Sequence, residues 1–373
     1  MFLYTKHFEF FSTHPSHLPA QMKMAFTAYG ARMMGYPREG ENPVPMLAVT
    51  STADLNLADE YGDTMLIKAA GNGQAEVVAS LLAAPGKDGV AADLNLANND
   101  GQTALIRAAT NGHTAVVNAL LAAAGKDGVA VDLNLADNEG HTALIRAAFK
   151  GYGEVVAVLL TATGKDGVAV DLNVKANDGS TALLRASTNE NNDIVAAILG
   201  ATGKDGVAVD LNAANDDGIT TLIWAASSGM GGITAALIAA TGKDGDAVDL
   251  NIVNKDGNTA LICAAGSGHA GIIGSLLGAT GKGGVAIDLN IANKRGVTPL
   301  MCAAGVGDLS AVTAILGTAG KDGEKVDLNL ADKGGMTALL CAVTSSHADV
   351  AKALLVAIGK DGAAVDVNHA EKG

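Results

Sequence analysis

A threonine recurs every 39 residues in this chain, at Thr64, Thr103, Thr142, Thr181, Thr220, Thr259, Thr298 and Thr337, and the interval never slips. The surrounding residues recur with it. Asp132 to Val170, DLNLADNEGHTALIRAAFKGYGEVVAVLLTATGKDGVAV, is the pattern that the other segments copy. A fixed self-similar period in this range marks supersecondary units that cannot bury their apolar faces alone and must stack on their neighbours. The expected organisation is one repeat domain over residues 54–373, with eight units counted from Asp54 and a partial ninth arm, preceded by a non-repeat segment, residues 1–53.

The chain has 373 residues, a length that ordinarily suggests two or three domains, but a solenoid grows by adding units rather than cores. With 25 basic against 39 acidic side chains the net charge is −14, a field that opposes nucleic acid and anionic membrane. Three cysteines do not make a disulfide framework and fit a reducing, cytoplasmic location. The N-terminal segment holds five of the six phenylalanines, and Lys6, His7 and Glu9 interrupt its apolar start, so it does not form the uncharged core of an export signal. Met22, Ala25, Phe26, Met33 and Met34 recur at helical intervals, which predicts a capping helix at about residues 20–36 over the first repeat. A transit peptide is the competing reading, because Lys6, Lys23, Arg32 and Arg38 outnumber Glu9 and Glu39.

Within a unit the residues dictate two short antiparallel helices. Thr142 before Ala143-Leu144-Ile145 reads as an N-cap, Leu144, Ala147 and Ala148 as an apolar face, and Gly151 as the left-handed stop. Val155, Val156, Leu159 and Leu160 mark the second helix, which ends before Gly164. An alternating run, VAVDLNLADNEG, then enters an Asn/Asp/Gly turn, as expected of an extended arm or hairpin leading to the next unit.

These residues resemble an ankyrin repeat: the Asp100, Gly101, Thr103, Ala104, Leu105 element, the Ala108-Ala109 pair, Gly112-His113, Val116-Val117, Leu120-Leu121, and Asp132-Leu133-Asn134. The resemblance implies an all-α solenoid of stacked helix pairs with hairpin arms, and a groove used for protein partners. Three departures stand out. The usual period is about 33, and the extra residues here form a G-K-D-G-V-A element between the second helix and the arm. Alanine and isoleucine replace the proline and histidine of the family's T-P-L-H element, except at Pro299, which shifts weight to apolar packing. Glu190 and Ser346 stand where glycine ends the first helix, so strain is expected there.

One series stands at the position before the Ala-Ala pair or its Ala186-Ser187 and Ala342-Val343 equivalents: Lys68, Arg107, Arg146, Arg185, Trp224, Cys263, Cys302 and Cys341. The resemblance places it in the groove, where stacking would make a cationic ladder, the only tryptophan, then a neutral stretch. Lys68, Arg107, Arg146, Arg185 and Trp224 are therefore candidate partner-binding residues, suited to an extended or helical protein or peptide that is acidic at one end. A plainer reading stands beside it, in which these side chains cover apolar surface and pair with nearby acids.

No other motif carries chemistry. The G-K-D-G element lacks the spacing and the Ser/Thr of a phosphate loop and the carboxylate cage of a calcium loop, and reads as a charged turn forming a Lys/Asp row. Cysteines in successive units are too far apart for a disulfide and have no histidine at a zinc interval. His113, His269 and His347 fall at the family's structural Gly-His position. The stretches 219–242 and 258–281 are free of charge, yet glycine and serine break them into short helices, and their outer face carries Gly231, Gly232, Ala235, Gly271 and Gly274 as a second candidate patch. The expected protein is a non-catalytic, monomeric interaction scaffold without cofactor or metal. The alternative is the regulatory or substrate-recruiting arm of an enzyme whose catalytic part is not in this chain; nucleic-acid binding through the ladder is disfavoured by the charge.

Overall fold

The computed structural model describes residues 53–368. Residues 1–52 and 369–373 lie outside it, and with them the expected capping helix, the two readings of the N-terminal segment, and His7, His14, His17 and His369. Among the described residues each of the eight units contributes two α-helices and one short turn of 3-10 helix. The helix pairs are α1 (Met65–Gly71) with α2 (Ala75–Ala83), α3 (Ala104–Thr110) with α4 (Thr114–Ala122), α5 (Ala143–Lys150) with α6 (Gly153–Thr161), and α7 (Ala182–Thr188) with α8 (Asn192–Gly200). They continue as α9 (Thr221–Ser227) with α10 (Gly231–Ala239), α11 (Ala260–Ser267) with α12 (Ala270–Leu277), α13 (Pro299–Val306) with α14 (Leu309–Gly317), and α15 (Ala338–Thr344) with α16 (Ala348–Leu355). The fold is an all-α solenoid; its arms are closed by isolated antiparallel bridges such as Ala136 with Thr142.

The periodic threonine starts every first helix in the expected way. Thr142 Oγ1 accepts the Ile145 N–H at 3.3 Å, and each of the other seven threonines caps its helix likewise. This satisfies one backbone donor that the first turn would otherwise leave open. Leu144, Ile145, Ala147 and Ala148 of α5 are buried, as are Val155, Val156 and Leu159 of α6. Burying each of the larger side chains contributes about 1.5–3 kcal/mol. The alanine pairs let first helices approach closely, and first helices of neighbouring units in general pack more tightly than second helices do.

Left-handed residues end the first helices. Gly151 has φ 80°, and Glu190 and Ser346 are held at φ 57° and 64°, so the strain expected at the fourth and eighth units is present. A side chain in that region costs of order 1 kcal/mol or more.

Polar contacts between units are stronger than the sequence reading allowed. The loss of the T-P-L-H histidine is offset by the asparagine of D-L-N, whose carboxamide binds the following arm twice. Asn95 Nδ2 donates to the Ala130 carbonyl at 3.0 Å and Asn95 Oδ1 accepts the Asp132 N–H at 2.7 Å, and the same pair of bonds recurs from Asn56 to Asn329. The G-K-D-G turn adds a second link: its lysine N–H reaches the preceding arm, as in Lys126 to the Ala92 carbonyl at 2.8 Å. Close approach explains its first glycine. A Cβ on Gly125 would lie 2.6 Å from Leu94 Cγ and 2.9 Å from the Ala92 carbonyl oxygen. The lysine and aspartate side chains of these turns are exposed, giving the expected Lys/Asp row.

Candidate functional site

Each arm ends in a tight turn, organised by the side chain at its first position except in the fourth unit, where that position is Ala176 and Asp178 Oδ1 accepts the Ser180 N–H instead. In the third unit Asp137 Oδ1 accepts the N–H groups of Glu139 and His141, and in the fifth Asn215 does the same for Asp217 and Ile219. Neighbouring tips are joined by backbone bonds: Asn99 N–H to the Tyr61 carbonyl, Asn138 to Asp100, Asn177 to Glu139, Asp216 to Asp178, Lys255 to Asp217, Lys294 to Asp256 and Lys333 to Arg295, all 2.8 to 2.9 Å. Asn138 and Asn177 add side-chain bonds to the previous tip. The eight tips therefore form one hydrogen-bonded row.

The candidate stripe runs along the first helices beside this row, and Lys68, Arg146 and Arg185 are matched by acids from their own arms. Lys68 Nζ lies 2.7 Å from Asp59 Oδ2. Arg146 is 3 % exposed and bonds Asp137 Oδ2 through Nε at 2.9 Å and Nη2 at 2.5 Å, and Glu139 Oε2 at 3.0 Å. Arg185 Nη2 lies 2.5 Å from Asp178 Oδ2. Arg107 is buried, with Nη1 3.4 Å from Gln102 Oε1. The plainer of the two sequence readings describes this geometry: long side chains covering apolar surface, paired with nearby acids.

Arg107, Arg185, Cys302 and Cys341 also rest on the unit before them, against the third residue after that unit's own stripe position. Arg107 Nε would lie 3.0 Å from a Cβ placed on Gly71, and the Arg185 guanidinium sits 5.4 Å from the Phe149 ring centre. Cys302 faces Gly266 and Cys341 faces Gly305 in the same way. Trp224, at the middle of the stripe, is half-buried. Its own helix, α9, packs less closely on α7 than other neighbouring first helices pack on one another.

Asp137, Glu139 and His141 form the one group of metal-type ligands among the described residues, with ligand atoms within 4.8 Å of one another. Burial alone would raise the Asp137 carboxyl, but the His141 ring and the charge and hydrogen bonds of Arg146 outweigh it and hold that carboxyl below its usual value. Because the Arg146 guanidinium already bridges both carboxylates, a second cation there would meet a fixed positive charge. The cluster is an internal ion pair of the third unit.

The cysteines are half-buried. Burial pushes the thiols of Cys263 and Cys302 up to about 12 and that of Cys341 to about 11. Such thiols are almost wholly protonated near neutrality and are poor nucleophiles. His113 Nε2 and His347 Nε2 contact the carbonyls of Gly71 and Gly305 in the preceding units, so both histidines are structural links. No helix among the described residues is long and apolar enough to cross a membrane. Gly231, Gly232, Ala235, Gly271 and Gly274, the second candidate patch, are exposed on α10 and α12.

Sequence reasoning located the stripe and, in its plainer reading, paired it with nearby acids without naming them, but did not single out the tips. The signal for the tips was present in the sign of the residues around each D-G or N-x-x-G turn, which changes along the chain.

Comparison with known proteins gives the following. The family model for ankyrin repeats (3 copies) matches residues 38–132, 128–210, 205–287 and 276–369. Among solved structures, the ankyrin repeat domain of Bcl-3, described as a unique member of the IkappaB protein family, is similar with a TM-score of 0.53 and 25% identity. That match covers 69% of this chain and 99% of the other. The ankyrin repeat protein EF0377 is similar with a TM-score of 0.45 and 24% identity, over 57% of this chain and 96% of the other. No curated protein matches the sequence.

Proposed function

The chain belongs to the ankyrin-repeat family, and on that premise we propose that it is a protein-binding scaffold without catalysis of its own, holding a protein or peptide along the face made by its first helices and arm tips. Ankyrin repeats are in general protein–protein interaction modules. The observation that carries the proposal here is the tip row. Eight turns tied to one another by backbone bonds make a long surface whose geometry is fixed before a partner arrives, so little ordering entropy opposes binding.

On this reading Trp224 is the apolar anchor, and Lys68, Arg107, Arg146 and Arg185 form the floor beside it, the charges of Lys68, Arg146 and Arg185 being balanced by the arms. The protein works as a monomer in the cytosol, where its three thiols stay reduced.

The test is capture from cell lysate with the whole chain beside a Trp224→Ala variant, both shown by circular dichroism to fold alike. The expected result is loss of a specific partner from the variant. Undiminished capture would overturn the groove and turn attention to the exposed outer face of α10 and α12. Charge reversal at Arg146 is the wrong probe, because it would leave buried Asp137 without its counter-ion and disturb folding.

A further inference from the structure

The tip row changes sign along the array. Its first five units present Glu60, Asp100, Glu139, Asp178, and Asp216 with Asp217; its last three present Lys255 with Asp256, Lys294 with Arg295, and Lys333. Glu60, Asp216, Asp217, Lys255, Lys294 and Lys333 are exposed. Backbone bonds between consecutive tips place these charges side by side in one line, so the sign change is a property of one surface rather than of scattered residues.

The stripe beneath cancels only part of this grading: it takes up Glu139 and Asp178 and leaves Glu60, Asp216 and Asp217 exposed. Its cations lie in the acidic half, where Lys68, Arg146 and Arg185 are consumed by Asp59, Asp137, Glu139 and Asp178. No arginine or lysine stands at the stripe position of the last three units, where Cys263, Cys302 and Cys341 replace them. Among these exposed residues one cross-tip pair is close, Lys255 with Asp217 at 3.4 Å, and it sits at the boundary between the two halves with both side chains largely exposed. Exposed pairs of that kind contribute little and do not fix the field on either side.

We propose that the partner held along this face is a protein segment of opposite grading, basic where it lies over the first five units and acidic where it lies over the last three. The inference rests on the groove reading above and adds the partner's polarity. It also reverses the order expected from the cationic ladder, whose charges are internal. Complementary potentials of this kind chiefly set register and the rate of encounter.

The experiment uses fluorescently labelled synthetic peptides and the full chain, read by anisotropy over a salt series. One peptide is a lysine-rich block, one a glutamate-rich block. A third joins the two through a flexible linker of about a dozen residues, enough when extended to cross four units at roughly 10 Å each. The triple variant Lys255→Glu, Lys294→Glu, Lys333→Glu is expected to bind the glutamate peptide about tenfold more weakly and to leave the lysine peptide no weaker. Glu60→Lys, Asp216→Lys, Asp217→Lys is expected to do the reverse, and the two-block peptide is expected to bind the unaltered chain tighter than either block.

Block binding that responds to neither set of tip variants overturns the proposal. So does a salt-sensitive dimer of the chain alone, seen by sedimentation and lost in the lysine variant, which would assign the face to a second copy laid antiparallel. The groove reading fails separately: a natural partner lost on Trp224→Ala while the peptides ignore the tip charges would keep the groove and remove the polarity.

Discussion

The side-chain oxygen of Asn134 accepts the backbone N–H of Asp171, in the next unit, at 2.6 Å. Its nitrogen donates to the Ala169 carbonyl of the same arm at 3.1 Å, so one side chain fastens two units at two points. Asn134→Ala removes both bonds and leaves a part-buried N–H and carbonyl open, each costing about 1–3 kcal/mol at most. The expected loss is about 2–4 kcal/mol in urea melts. Because a repeat array is stabilised by intrinsic and nearest-neighbour terms, the melt is also expected to broaden or divide. An unchanged melt would show that apolar packing alone joins the third and fourth units.

Arg146→Met tests the ion pair of the third unit through pH. Asp137 is held below its usual carboxylate value, so the pairing stabilises the fold fully above the unfolded value of about 3.9 and is lost as pH falls through the lower folded value. Removing the guanidinium leaves a buried carboxylate uncompensated, at a cost of about 3–5 kcal/mol near neutrality. On acidification Asp137 can take a proton in the variant, so the gap between variant and parent is expected to narrow from pH 7 to pH 4. Chemical denaturation at the two pH values measures it; a gap that stays constant would mean the arginine acts by packing.

Two glycine exchanges of opposite direction are expected to stabilise the array. Glu190 has φ 57°, and Glu190→Gly relieves a left-handed side chain at about 1 kcal/mol. Gly274 lies inside α12, and a Cβ placed there meets nothing within 4 Å, so Gly274→Ala gains about 0.5–1 kcal/mol from helix propensity. Thermal melts of the two variants and their combination, separated by a full unit, should show additive gains. A destabilised Gly274→Ala would reveal that the bare face of α12 is needed small.

The three thiols are expected to resist iodoacetamide at pH 8 in the folded chain and to react in denaturant, with Cys341 leading because its thiol is raised least. Mass spectrometry of peptides over a time course reads the order. Fast native labelling of Cys302 would contradict its burial.

The helical architecture was legible because its signals are local. Thr142 three residues before Ile145, the Ala147-Ala148 pair and the left-handed stop at Gly151 all act within one or two turns of chain. The site was harder to read because its partners are not local. Arg146 meets Asp137 and Glu139 only after the arm has folded back across the helix, and Arg185 meets Phe149 only after two units have stacked. A charge at a periodic position therefore reads equally as presented or as paired until the arm is folded. The asparagine of D-L-N was visible as a motif, but its purpose appears only across the boundary between units, where neither local propensity nor helical periodicity reaches.

The contacts of Arg107, Arg185, Cys302 and Cys341 with the preceding unit have a consequence for how such an array can be rearranged. Arg185 is shaped to Phe149, Arg107 to Gly71, and Cys302 to Gly266, so half of every matched pair belongs to the neighbour. A single unit transplanted to another place would set its arginine over a foreign residue and leave a ring or a gap behind. The portable module of this protein runs from the middle of one unit to the middle of the next, and recombination at those points keeps each pair together.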